Sequence, residues 1–480
     1  MIKDENLRLC ILEALKKGEE EPLTSRDIIS MKELNAKGRD IERIDGLEDF
    51  INLKKINLSS NRIEDISALE GLEFVEELDL SRNALQSIKP ISNAIHLKYL
   101  NLSHNEVFPL DLKYLKDLDH LEELNINRTF ISHIDKLDKL EKLRILHGGV
   151  RSEGFDLRVF KDLVQLEELH LPYLWMYDLT MIGNLKNLKV LDLSGNLFSD
   201  TSILNEFTQL EELNLSNNHY LHDLNFLSSL PKLKKLDLSY CKVPYIEMLE
   251  KVGELEELRL TYCQVQDFTP LVHLKKMKVL DLGYNRFVNP EILKGMKDLV
   301  SLKLNQTLLR SIEVVRNFKH LKECNLHNNM ISDLKPLQDC RELVELDVSN
   351  NRIGDIHYLS YLTNLTTLNL ANNMIYKVES LKDMKQLTSL DLYNNVITNI
   401  SPLSNLVNLT RLRLDHNGVS ELEPIMKLTK LTSLTLKANY IIDLQPLLNL
   451  TELFELRLDD NPIADMNLLE KMKYYDKFTY

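Results

Sequence analysis

Tyr240, Tyr262 and Tyr284 follow one another at steps of 22 residues, with Arg259 among them. A denser aromatic group, Tyr173, Trp175 and Tyr177, lies upstream around the chain's one tryptophan. His147 and His170 stand 23 residues apart, the second just after Glu168. These are the side chains whose types and spacing carry chemistry. Tyrosine and tryptophan bury large areas on binding at little cost in rotamer entropy, which is why they dominate interface hot spots. Two imidazoles beside a carboxylate have donors for a metal ion or for proton transfer. A catalytic reading needs more. No G-x-x-x-x-G-K-[ST], G-x-G-x-x-G, H-E-x-x-H or G-x-S-x-G motif occurs. No nucleophile motif adjoins the histidines either. The expectation is recognition without catalysis, with no cofactor and no functional metal.

The 22-residue step belongs to the whole chain. One clean copy runs Leu387-Thr-Ser-Leu390-Asp-Leu392-Tyr-Asn-Asn395-Val-Ile397, followed by Ile400, Pro402, Leu403 and Leu406. Twenty such units begin at Met31, and the last begins at Leu453. The spacing is 22 except for 24 after Leu97 and 23 after Leu143 and Leu210, where the extra residues are expected in turns or on the outer side. A fixed period of this length with this leucine pattern predicts a leucine-rich-repeat solenoid. Around the fourth and sixth positions apolar and polar residues alternate, as in Glu77-Leu78-Asp79-Leu80, which predicts a short strand with one buried face. The fold class is therefore an α/β repeat solenoid: a curved horseshoe with a parallel sheet on its concave face and short 3₁₀ or extended segments outside. The ninth position is Asn in thirteen of the twenty units. Its amide is expected to point inward and satisfy backbone groups of its turn and of the next coil. Thr129, Thr307, Cys241 and Cys263 are small enough for the same slot. Prolines such as Pro402 fix φ after it.

This period places the candidate residues. Positions three, five, seven and eight should line the concave face, with position ten at its rim. Tyr240, Tyr262, Tyr284 and Tyr173 all hold position eight, so the first three form an aromatic ladder. His147 and His170 hold position five of units six and seven. Those two units depart from the pattern, with Arg151 and Leu174 in the Asn position. Charge is uneven: Glu77, Asp79, Glu123, Glu168, Asp192, Glu212, Asp237, Glu257 and Asp281 make the first two-thirds acidic. Arg411, Arg413, Lys437 and Arg457 make the last units basic. This predicts steering of a basic partner segment into the acidic stretch.

With 59 Lys plus Arg against 73 Asp plus Glu, the net charge is −14. Nucleic acid and anionic membranes reward the opposite sign, so neither is expected as a partner. No apolar run approaches the ~20 residues needed to span a bilayer, and the first twenty residues lack a signal-peptide core. A monomeric cytoplasmic protein is expected. Five cysteines and no CxxC pair argue against zinc or redox chemistry. Cys241 and Cys263 fall in adjacent coils, where buried thiols are preferred over a disulfide. An open stack needs caps. Residues 1–30 are read as a helical cap, with Leu7, Cys10, Ile11, Ala14 and Leu15 on one face and Thr24 and Asp27 as a capping box. The array spans 31–467. Residues 468–480, with Leu469, Met472, Tyr475 and Phe478 at helical spacing, close it.

The opening residues resemble the cap and first repeats of the bacterial internalins. The shared features are Asp4 before an amphipathic helix, Leu23-Thr24 before Asp27-Ile28, Leu34-Asn35-Ala36-Lys37-Gly38, Ile44-Asp45-Gly46-Leu47-Glu48 and Asn57-Leu58-Ser59. The resemblance implies a leucine-rich-repeat binder of protein. Exported internalins carry a signal peptide, an immunoglobulin-like domain and a surface anchor, and none is read in this sequence. The expected function is a non-enzymatic scaffold binding a protein through its concave face. The alternatives are a regulatory subunit of a phosphatase or kinase, and an internalin-like adhesin whose export signal is absent from this chain.

Overall fold

The computed structural model describes residues 2–149, 156–465, 468 and 477–479, in two compact units, Met1–Asp237 and Leu238–Tyr480. The N-terminal unit opens with α1 (Glu5–Leu15) and α2 (Ser25–Ser30). Asp4 caps α1 by accepting the Leu7 N–H at 3.0 Å, and its other oxygen accepts the N–H groups of Glu42 and Arg43. One carboxylate thus starts the helix and ties it to the first coil. The Thr24–Asp27 capping box of α2 is present. The buried face of α1 is Leu7, Cys10, Ile11 and Leu12. Ala14 is exposed and Leu15 half-buried, so the apolar face sits slightly round from the expected one.

Both units are built from the same coil. In the N-terminal unit, strands such as Glu33–Asn35, Lys55–Asn57 and Glu77–Asp79 pair in parallel, with Leu34 opposite Ile56 and Ile56 opposite Leu78. In the C-terminal unit, strands from Glu257–Arg259 to Glu455–Arg457 do the same, each a 22-residue step from the last. The leucines flanking each strand are fully buried, and a 3₁₀ turn returns the chain, as at Ser401–Asn405 with Pro402 in its first turn. The fold is a leucine-rich-repeat solenoid.

The ladder asparagines hold successive coils together. Asn395 Nδ2 donates to the carbonyls of Leu392 in its own coil and Leu370 in the preceding one, at 3.1 and 3.0 Å. Its Oδ1 accepts the Ile375 N–H at 3.0 Å. The amide therefore reaches back to the previous coil, not forward to the next as the sequence suggested. Cys263 fills the same slot, its Sγ donating to Leu238 O at 3.0 Å, and Thr129 Oγ1 donates to Leu102 O at 2.8 Å.

A second device runs along one edge at the position after each unit's first leucine. The sequence there alternates Lys54, Glu76, Lys98, Glu122, Arg144, Glu167, Lys189, Glu211, Lys234, Glu256, Lys278. Glu76 bridges Lys54 and Lys98 at 2.7 and 2.9 Å, and Lys278 pairs with Glu256 at 2.7 Å. Farther along, in the C-terminal unit, threonines take over: Thr388, Thr410 and Thr432 each donate Oγ1 to the carbonyl of the Thr one coil earlier, at 3.1, 3.1 and 3.0 Å.

The irregular spacings resolve locally. After Leu97 the two extra residues lie in a stretch where Leu110–Asp111 pairs with Ile131–Ser132 as a small separate parallel sheet. After Leu210 the extra residue lies in the turn that follows Asn218, which the Leu221 N–H closes on Asn218 O at 3.1 Å, and Tyr220 stands exposed there. Residues 150–155, including Arg151, lie outside the described residues. At the far end, Lys477–Thr479 is a strand paired with Glu455–Arg457, Phe478 opposite Leu456. The step from 456 to 478 is again 22, so repeat register decides Phe478 against its helical spacing. Leu469, Met472 and Tyr475 lie outside the described residues.

Candidate binding surface

Each coil turns out of its strand in the same way. The position-five side chain, when Asp or Asn, accepts the N–H two residues on, as Asp79 does from Ser81 at 2.9 Å and Asn325 from His327 at 3.0 Å. The residue at position eight then takes left-handed backbone in every described coil. Asn fills it at Asn217, Asn328, Asn350, Asn372 and Asn394, and Gly at Gly38 and Gly195, the types that tolerate this region best. Tyr173, Tyr240, Tyr262 and Tyr284 occupy it at φ 56°, 61°, 56° and 57°. The sequence alone placed these tyrosines on the surface but gave no sign of their strained backbone.

In the C-terminal unit the expected ladder is present. The Tyr240 and Tyr262 ring centroids lie 6.0 Å apart, and those of Tyr262 and Tyr284 6.5 Å in an edge-on arrangement. All three are about half exposed. Arg259 sits on a strand beside them and is engaged by Glu257, its Nε 2.8 Å from Oε1. In the N-terminal unit Tyr173, Trp175 and Tyr177 stand exposed on one coil, Trp175 at 55% and Tyr177 at 73%. Trp175 also has positive φ, and Leu174 is only half-buried rather than seated in the Asn slot. The Tyr173 ring lies over Gly195 of the following coil, so closely that a Cβ there would stand 2.3 Å from the ring. Gly195 makes the room for that ring.

His147 and His170 stack face to face, centroids 4.3 Å apart. Burial, and then the charge of His170, push the His147 imidazole down to about 4, against a smaller opposing pull from Asp192. Burial works against the Asp192 carboxylate too, but hydrogen bonds from His170 and Ser194 outweigh it and hold its pKa low. Burial and Glu168 raise the Glu123 carboxyl, which lies 3.7 Å from His147 Nε2. Among the described residues no three His, Cys, Asp or Glu side chains are placed to hold a metal ion. All five cysteines are buried, and no disulfide joins them.

The charged face is largely occupied by its own neighbours. Asp192 and Asp281 accept the N–H groups of Ser194 and Gly283. Lys55 holds Glu77 and Lys235 holds Glu212, each at 2.7 Å. Of the basic residues near the end, Arg413 lies between Asp391 and Asp415 and over the Tyr393 ring, and Arg457 pairs with Glu455. Sequence reading counted these charges as an acidic and a basic field; the structure pairs many of them at short range. It missed Lys242, Arg286 and Lys303, which lie beside the tyrosine column and matter below.

Models described as "Leucine Rich repeats (2 copies)" match residues 208–251 and 363–405, and further leucine-rich-repeat models match 187–210, 93–108 and 339–356. Internalin C2 of Listeria monocytogenes is 34% identical over 39% of this chain and 82% of its own, with a TM-score of 0.37. Internalin F of the same organism is 24% identical over 95% of both chains, with a TM-score of 0.36. The structure titled TLR13-ssRNA13 complex, 21% identical over 94% of this chain and 81% of its own, superposes at a TM-score of 0.59 and shares the fold. No curated protein matches. The chain belongs to the leucine-rich-repeat proteins. It is of the internalin-like kind. No helix among the described residues is long and apolar enough to cross a membrane.

Proposed function

We propose that this chain is a non-enzymatic protein-interaction scaffold that binds a protein partner through its strand-lined face. The observation that carries the reading is the placement of exposed aromatic rings on strained backbone. Four coils put tyrosine at a left-handed position that Asn or Gly would fill with less strain, at a cost of about 1 kcal/mol or more each. Eight other described coils carry Ser, Arg, His, Gln, Ala or Asp there, so what sets these four apart is the exposed ring on that backbone. The cysteines, all buried and without a disulfide, support a reducing compartment and hence a cytoplasmic protein.

A photo-cross-linking amino acid at Trp175 or Tyr262, compared with one at Asn405 on the 3₁₀ side, tests this in cells. Cross-links to a protein are expected from the first two positions. Cross-links from Asn405 alone would sink the reading. Identification of the captured protein as a phosphatase or kinase whose rate the chain changes would favour the regulatory-subunit alternative.

A further inference from the structure

We propose that the Tyr240–Tyr262–Tyr284 column, with Lys242, Arg286 and Lys303 around it, docks an acidic protein segment that carries apolar side chains. This rests on the protein-binding reading above and names the chemistry of the partner. Lys242 and Arg286 are exposed at the rim, two residues beyond Tyr240 and Tyr284, and Lys303 is half-buried at position five of the next coil. None of the three makes an ion pair among the described residues. On the strands beside them Glu257 holds Arg259, and Asp281 accepts the Gly283 N–H at 3.0 Å. Asp281 keeps its charge, opposite Lys303 in strand register, so the three open cations outnumber it beside these rings in a chain of net charge −14.

Two chemistries follow from that combination. The three cations attract carboxylates, and the half-exposed rings take apolar or aromatic side chains in offset or edge-on contact. A single-stranded nucleic acid also pairs rings with anions, but it needs a continuous cationic track. Here the Glu257–Arg259 pair and Asp281 interrupt the cations. Separate carboxylates on a peptide fit separate cations.

The left-handed backbone supplies a clean control. Tyr→Asn at position eight installs the residue that five other coils use, such as Asn328 and Asn350, so it removes the rings without harming the coil. Random peptides displayed on phage are selected on the whole chain, then measured as synthetic peptides by fluorescence anisotropy. The expected pool is rich in Asp and Glu with interspersed apolar residues. The triple variant Tyr240→Asn, Tyr262→Asn, Tyr284→Asn and the double variant Lys242→Glu, Arg286→Glu should each weaken binding roughly tenfold or more. The triple variant should melt no lower than the parent. A neutral or basic pool, no enrichment, or binding unchanged in both variants overturns the proposal. Binding of an oligo-dT strand that both variants abolish overturns it in favour of a nucleic-acid surface. If the selected peptides are lost only with Trp175→Ala, this proposal falls and the protein-binding reading stands. If no variant on either surface affects them, both fall.

Discussion

Asn395 and Tyr262 sit one position apart in the repeat, at nine and eight, and answer to opposite demands. Asn395 is buried and makes four backbone hydrogen bonds across two coils. Asn395→Ala should cost about 1–3 kcal/mol in urea denaturation, because it orphans buried donors and acceptors. Tyr262 holds left-handed backbone in the open. Tyr262→Asn should leave stability unchanged or raise it by up to about 1 kcal/mol; a loss above that size would mean that the ring supports the coil. His147 contributes a pH dependence of its own. Its folded-state pKa, about 4, lies below its ordinary 6.5, so the unfolded chain takes up the proton first. The contribution of this group should therefore fall as pH drops from about 6.5 toward 4 and level off below. The loss from this group is roughly 1–2 kcal/mol between pH 7 and pH 5, and His147→Gln should remove that part of the slope. The residues at positions five and nine were readable from their columns. The left-handed state of position eight was not, because a column mixing Asn, Gly, Tyr, His and Arg has no single chemical signature.

At the level of the element, one coil is a three-residue strand, an Asx turn, a left-handed residue, an inward amide and a 3₁₀ return. None is stable alone, since a strand this short has too few hydrogen bonds and one uncovered face. Neighbouring coils complete it through the Asn ladder and the edge ladder of alternating charge. Lys54 and Lys98 hold the Glu76 carboxyl down to about 2, chiefly through their side-chain hydrogen bonds. Glu76→Lys would put three ammonium groups in a row, and the melting temperature should fall. The drop should shrink in high salt, since exposed pairs are screened; a salt-independent drop would point to packing instead. The alternation is plain in the sequence once the period is known. Its pairing depends on coil stacking, which brings residues 22 apart into contact. The α1 face shows the limit of periodicity: Leu12 is buried where Ala14 was expected, because Asp4 ties the helix to Glu42 and Arg43 and so sets its rotation.

For the whole molecule, the repeat makes stability a sum of coil terms and nearest-neighbour terms. Hydrogen exchange of the Asn395→Ala chain should therefore quicken in the coils around residues 370–417 and stay unchanged in α1 and the first coils. A uniform increase along the chain would contradict that locality. The sequence by itself determined the solenoid, its parallel strands, the 3₁₀ returns, the Asn slot with its Thr and Cys substitutes, and the positions of the exposed aromatic residues. It could do so because each is a consequence of one short period, written about twenty times. The tertiary structure alone decided which charges are engaged and which stand open, that Phe478 joins a strand, that Gly195 makes room for Tyr173, and that the tyrosine column lies on strained backbone. Those outcomes depend on distances between coils and on backbone torsion. A residue's type and place in the period leave both undetermined until the coils are stacked.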